Sequence, residues 1–354
     1  MTTTPPNGPS QTPETRRRSS TRAVTLQDVA LLAGVSSQTV SRALRDPVEV
    51  AEHTRERVEA AVQQTGYVPN LAARNLASNK SKLVATVVPS ISTSVFSDTL
   101  ASASVVLSPH GYQLLLGYTN YDEGQEERLL RNLLGRRPDG IFLIGVLHTP
   151  GSVAMLRAAG IPVVETWGWL ENPIDDLVGF SNHDAMRDLT HELYSYGYRR
   201  FTFVGSQNPG DQRARERFRG FVTKHAELFP GQAPRFLDSS EYPLTLDAGA
   251  TFLHRAREQY PDTDVIMFAT DILANGAVLE ANARGISVPG DVAITGFGDF
   301  DLSAAITPGL TTVSIPTEKM GRMAAEMLLQ KMEDVTLAPR VINLGFSINR
   351  RASA

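Results

Sequence analysis

Residues 24–45 read VTLQDVALLAGVSSQTVSRALR, and this stretch decides the class of the chain. Thr25 is a cap residue; Val29, Ala30, Leu32 and Ala33 recur at helical spacing, and Gly34 stops the first helix. Ser36 is a good N-cap for a second helix to about Arg45, with Val40, Ala43 and Leu44 on its buried side. Ser37, Gln38, Ser41 and Arg42 then face outward. Such a row suits a DNA major groove, where Gln pairs bidentately with adenine and Arg with guanine. The same row would also serve as an ordinary solvated face.

The next residues narrow the choice. Thr54 is expected to cap a third helix, TRERVEAAVQQTG, whose Val58, Ala61 and Val62 close a three-helix core before Gly66 ends it. In YVPNLAARNLASNKS, Pro69 forbids continuing that helix and Asn70 can cap a new one, made apolar by Leu71, Ala72, Ala73, Leu76 and Ala77. So short a helix is marginal alone and forms only against a twin helix, DNA, or both.

Taken together, VTLQDVALLAGVSSQTVSRAL, TRERVEAA and YVPNLAARNLA closely resemble the lac repressor family of bacterial transcription regulators, and the similarity extends through the rest of the chain. The resemblance implies that Ser37, Gln38 and Arg42 read bases. It places Leu76 where two hinge leucines wedge into the minor groove and kink the operator, a distortion repaid by added contact surface. The implied DNA-facing set is Thr25, Ser36, Ser37, Gln38, Thr39, Ser41 and Arg42 in the head, with Asn70, Ala73 and Leu76 in the hinge.

Charge is distributed accordingly. The 354 residues carry a formal net charge of −4, yet Arg16 to Lys82 holds eleven Lys and Arg against six Asp and Glu, a local balance of +5. Phosphate-seeking charge at the amino end fits affinity built on counterion release. There is no cysteine, which excludes disulfides, thiol chemistry and Cys-based zinc sites and fits a reducing cytoplasm. No apolar run approaches membrane-spanning length, and residues 1–23, rich in Pro, Ser and Thr, read as a disordered tail. Residues 24–68 are the expected helix-turn-helix domain, 69–81 the hinge, and 82–354 the effector-binding and dimerisation domain.

From Leu83 the pattern alternates. LVATVVP, GYQLLLGY, GIFLIGV and IPVVETW are apolar almost throughout, as in parallel strands covered on both faces, and amphipathic helices separate them. A second series runs from HDAMRDLTHELYSYG to DVAITGFG, followed by GLTTVSIP, the helix TEKMGRMAAEMLLQKM and one final strand, RVINLGFSI. The expected fold is α/β: an all-helical head plus a two-lobed, periplasmic-binding-protein-like core of doubly wound parallel sheets, with the ligand cleft at the strands' carboxyl ends.

Candidate effector contacts follow those strand ends: Ser90, Phe96, Glu165, Asn182, Arg213, Arg217, Thr270, Asp271 and Asp299. Each has a duller alternative, such as a helix cap for Asp271 or core packing for Phe96. In the family the arginine of the pattern Arg-x-x-Gly-aromatic reaches the effector, which here, in RFRGF, is Arg217. One departure matters. Family members commonly carry Gly-Tyr-Asp after the late strand, whereas this chain reads GFGDF, with Gly298 in the aspartate's place and Asp299 displaced by one. Losing a carboxylate there favours an anionic effector. VPSISTSVFSD, AGIPVVE, VGFSNHDA and the tail also resemble the gluconate-utilisation repressors of the family, implying gluconate or a close relative as effector.

Other classes fit less well. A periplasmic binding protein has no use for the head, a nucleoid protein does not require the cleft, and no P-loop, nucleophile elbow or metal-binding helix marks an enzyme. No metal or cofactor is expected. Operator DNA, a sugar-acid effector and a second copy of the chain are the expected partners, with no leucine heptads for a tetramer tail.

Overall fold

The computed structural model describes residues 24–45, 49–69, 80–91 and 96–354. The expected tail over 1–23 and the hinge positions Asn70, Ala73 and Leu76 lie outside them. The chain divides into two compact units between Asn79 and Lys80.

In the first unit, α1 (Leu26–Ala33), α2 (Ser37–Arg45) and α3 (Glu52–Thr65) surround a small core of Val29, Ala30, Ala33, Val40, Ala43, Val58 and Ala61. A capping box starts α1: the Thr25 hydroxyl accepts from Asp28 N, while Asp28 accepts from Thr25 N at 2.8 Å. Gly34 ends it in the left-handed region at φ 63°. Arg57 on α3 donates to the carbonyls of Ala33 and Gly34, pinning the turn between the first two helices. The third helix begins two residues before the expected Thr54 cap. Ala51 is its N-cap and the Thr54 N–H already donates to Ala51 O at 2.9 Å, so Thr54 belongs to the first turn.

The second unit is two stacked α/β lobes. The first takes β1 (Leu83–Val88), α4 (Ser97–Leu107), β2 (Gln113–Tyr118), α5 (Glu123–Leu134), β3 (Gly140–Ile144), α6 (Pro150–Ala159), β4 (Val163–Thr166) and β5 (Asp176–Gly179). The second takes α7 (Asn182–Ser195), β6 (Phe201–Gly205), α8 (Gln212–Leu228), β7 (Arg235–Asp238), α9 (Leu246–Gln259), β8 (Val265–Phe268), α10 (Asp271–Ala283), β9 (Ala293–Gly298), α11 (Asp301–Ala305) and β10 (Thr311–Ser314). After these, α12 (Thr317–Glu333) returns to pack on α4 and the first sheet. With β11 (Val341–Asn343) and β12 (Ser347–Asn349) from the tail, strand orders are β11-β5-β4-β3-β1-β2 and β12-β10-β9-β8-β6-β7, parallel except at β12. Both are doubly wound, as the alternation implied.

The tail differs from expectation. RVINLGFSI is two strands: β11 (Val341–Asn343) runs parallel to β5 in the first sheet, and β12 (Ser347–Asn349) runs antiparallel to β10 in the second. Gly345, at φ 66°, turns the chain between them. Two strands absent from the sequence reading, DLVG (β5) and RFLD (β7), are too short and mixed to show periodicity. The chain thus crosses between lobes three times, after β5, β10 and β11, which makes a hinge.

An aromatic series lines that hinge. Phe96 meets Trp167 edge-on at 5.0 Å, Trp167 meets Phe180 at 6.2 Å, and Phe180 stacks on Phe297 at 6.3 Å. All four are at most 3% exposed, so the lobes share one continuous apolar floor.

Candidate functional site

On the head, Gln38, Ser41 and Arg42 are exposed along one side of α2, opposite buried Val40 and Ala43. Ser37 and Thr39 are half-buried. Ser36 and Thr25 spend their hydroxyls as helix caps, Ser36 accepting from Thr39 N at 3.0 Å. Both hydroxyls thus serve the ends of α1 and α2.

In the body, a cavity partly open to solvent lies between the lobes. The second lobe supplies Ser206, Asp211, Arg213, Arg217, Ser239, Leu244 and Thr270, and the first lobe covers them with Phe96 and Tyr121. The N-terminus of α8 brings Arg213 and Arg217 one turn apart onto the same face. Thr270 is the N-cap of α10 and makes no side-chain capping bond, so its hydroxyl is available to the cavity. Two helix N-termini and two guanidinium groups against the single carboxylate of Asp211 make the site anion-attracting.

Arg217 is its centre. The side chain is buried; Nε donates to Asn182 Oδ1 at 2.8 Å and Nη1 to Ala269 O at 2.6 Å, while the guanidinium stacks 3.8 Å from the Phe297 ring centroid. Burial pulls its pKa down to about 9, with Arg213 adding to the depression and Asp211 opposing it. It stays charged at neutral pH. Among the described residues no carboxylate pairs with it and Nη2 has no hydrogen-bond partner, so a ligand anion is the natural complement to a buried cation. Arg213 is held by the faces of Phe96 (4.8 Å) and Tyr121 (5.8 Å) and likewise has no ion pair among the described residues.

Phe96, Arg213, Arg217 and Thr270 are therefore brought together as the sequence implied. Asn182 stands behind them: its Oδ1 holds Arg217 and its Nδ2 donates to Trp167 O at 3.2 Å. Three expected carboxylates are elsewhere. Glu165 is buried in the first lobe, accepting from Ile174 N at 2.6 Å beside His148. Asp271 accepts from Thr312, Ser303 and Phe300 N, fastening α10 to β10 and to the start of α11; burial pushes its pKa up and these donors oppose the rise. Asp299 lines a neighbouring cavity, but its carboxylate is committed to Asn349 and Arg351. Ser90 is buried past the end of β1 and is not among the lining residues.

Tyr121, Ser206, Asp211, Ser239 and Leu244 also line the interlobe cavity and were not among the residues expected from the sequence. Ser239 follows β7, the unrecognised strand, and Tyr121 follows the end of β2, where the strand-end rule could have found it. Gly298 also has a physical account. Its φ is 130° and a Cβ there would lie 2.6 Å from the Phe300 ring, so no side chain fits the position where the family commonly carries aspartate.

Among the described residues no helix is long and apolar enough to cross a membrane. Residues 25–70 match the model of bacterial regulatory proteins, lacI family, and residues 190–354 match the periplasmic binding protein-like domain. The chain is 36% identical over 335 residues to the HTH-type transcriptional regulator GntR of Pseudomonas aeruginosa, covering 93% of this chain and 95% of that one. It is 34% identical over 324 residues to the HTH-type transcriptional regulator GntR of Escherichia coli K12, covering 92% and 96%. A crystal structure of a LacI family transcriptional regulator from Silicibacter pomeroyi superposes with TM-score 0.86 at 36% identity, over 93% of this chain and 99% of that one. With its helix-turn-helix head, two-lobed body and near full-length similarity to such regulators, the chain belongs to the lacI family of bacterial regulatory proteins.

Proposed function

We propose that this regulator is a cytoplasmic repressor that binds a pseudo-palindromic operator as a dimer and responds to a sugar acid, gluconate or a close relative, in the interlobe cavity. As a member of this family it is a DNA-binding transcriptional regulator and not an enzyme. The exposed Gln38, Ser41 and Arg42 are the reading face, and Leu76 is the minor-groove wedge. The single observation that carries the effector class is Arg217, a buried guanidinium without a carboxylate partner among the described residues, beside Arg213 and two helix N-termini. Serine and threonine hydroxyls around it suit a polyol chain. The missing aspartate at Gly298 removes a group that would repel an acid.

Fluorescence anisotropy on the protein's own upstream DNA, at fixed salt with and without gluconate, tests this. Release by gluconate identifies an inducer, and tighter binding a corepressor. Unchanged affinity, or an equal response to neutral sugars, overturns the sugar-acid assignment while leaving DNA binding to stand on its own measurement.

A further inference from the structure

Tyr121 belongs to the first lobe yet reaches the cationic side of the second. It sits in the loop between β2 and α5, where Asn120 and Tyr121 are consecutive left-handed residues at φ 52° and 62°. Two such non-glycine residues in a row are uncommon and need surroundings that hold them. The hold is visible across the cleft: a Cβ on Gly210 would overlap the Tyr121 carbonyl oxygen and come within 2.8 Å of its carbon, so backbone of one lobe rests directly on backbone of the other. Gly210 immediately precedes Asp211, the N-cap of α8, the helix that carries Arg213 and Arg217. Tyr121 lines the interlobe cavity with Arg213, and both residues also line a neighbouring space bounded by Glu126 and Asp122.

We propose that Tyr121 is the first lobe's ligand-binding latch: its phenol joins Arg213 over the carboxylate end of a small polyhydroxylated monocarboxylate, while its carbonyl seats on Gly210 only when the lobes are together. The assignment rests on the sugar-acid reading of the cavity. A ligand then adds to a closed arrangement that the Tyr121–Gly210 contact already favours, because a carboxylate between Arg213 and the phenol contacts both lobes at once, whereas Arg217 alone binds from one side. Phe96, the other cover from the first lobe, offers only an apolar face.

Two substitutions separate the two roles. Tyr121→Phe keeps the ring and loses the hydroxyl; Gly210→Ala keeps every ligand contact and places a methyl group where the Tyr121 carbonyl lies. Calorimetric titration of the full-length variants with gluconate is expected to show tenfold or greater weakening in each, with unchanged circular dichroism. Small-angle scattering of unliganded protein is expected to give a larger radius of gyration for Gly210→Ala and an unaltered one for Tyr121→Phe. Gluconate binding within twofold of wild type in Tyr121→Phe overturns the phenol contact. Identical scattering of Gly210→Ala and wild type overturns the latch. Should wild type bind no gluconate, the sugar-acid reading fails, and the scattering comparison still decides the latch.

Discussion

Asn182 Oδ1 accepts from Arg217 Nε at 2.8 Å, and the same amide's Nδ2 donates to Trp167 O at 3.2 Å. One side chain at the first interlobe crossing thus ties the cation of the cavity to a first-lobe residue. From there the Trp167 indole donates to Thr99 Oγ1 at 3.1 Å, and Thr99 donates to Thr317 O at 3.2 Å, at the second crossing. The chain of bonds touches α8, the start of α7, the segment after β4, α4 and α12. These bonds form one continuous network from the cavity cation to two interlobe crossings, and substitution of Asn182 tests whether it carries coupling.

Replacing Asn182 by alanine therefore uncouples more than it weakens. Gluconate affinity is expected to fall by about 1.5–3 kcal/mol, the loss of one hydrogen bond to a charged group. The gluconate-dependent change in operator affinity is expected to shrink further. Paired calorimetry and anisotropy measure the two; a proportionate loss in both contradicts a coupling role.

Arg217→Ala leaves operator binding near wild type while abolishing the ligand response. Removing one side of a buried charge interaction costs about 2–5 kcal/mol, enough to take a micromolar ligand out of range. Arg217→Lys is expected to fail as well, since an ammonium cannot serve Asn182, Ala269 O and the ligand in one plane. A normal response in either variant removes Arg217 from the site.

His148 makes stability fall at alkaline pH. Burial pushes its pKa down, but Glu126, with a 2.9 Å contact to Nδ1, and Glu165, 3.4 Å from Nε2, overcome that and raise it to about 9. A folded pKa above the unfolded value of about 6.5 means the stabilisation is complete below that pH and is lost as pH rises through about 9. Thermal midpoints are expected to hold below pH 6.5 and decline from pH 7 to 9.5, with His148→Gln lower and flatter. A wild-type profile no steeper than that of His148→Gln over this range contradicts the assignment.

Gly298→Asp, which restores the commoner family residue, is expected to destabilise the body by about 1–3 kcal/mol, because φ 130° excludes an L side chain and Phe300 occupies its space. It is also expected to reduce gluconate binding. Denaturant melts of the variant that match wild type would show that the loop reshapes freely.

Leu76→Ala is expected to weaken specific operator binding more than non-specific binding, since a wedge acts only on a site that kinks. Equal losses on operator and random DNA remove the wedge assignment.

Much of the class was legible in the sequence because its signals are local. The Thr25 capping box, Gly34 in the left-handed region and buried Val40 and Ala43 opposite exposed Gln38 and Arg42 each lie within one or two helical turns. Apolar runs likewise marked β1, β3 and β4, whereas Arg217 was marked by the family resemblance, through its Arg-x-x-Gly-aromatic pattern. Tertiary structure alone decided where side chains end up when neighbours come from far along the chain. It turned Asp271 and Asp299 inward to partners 29 to 52 residues away, divided the last strand between two sheets, and set Tyr121 against Gly210. Periodicity and capping are governed by hydrogen bonds within a turn, which a sequence displays directly; whether a carboxylate faces a ligand or a threonine depends on long-range packing, which it does not.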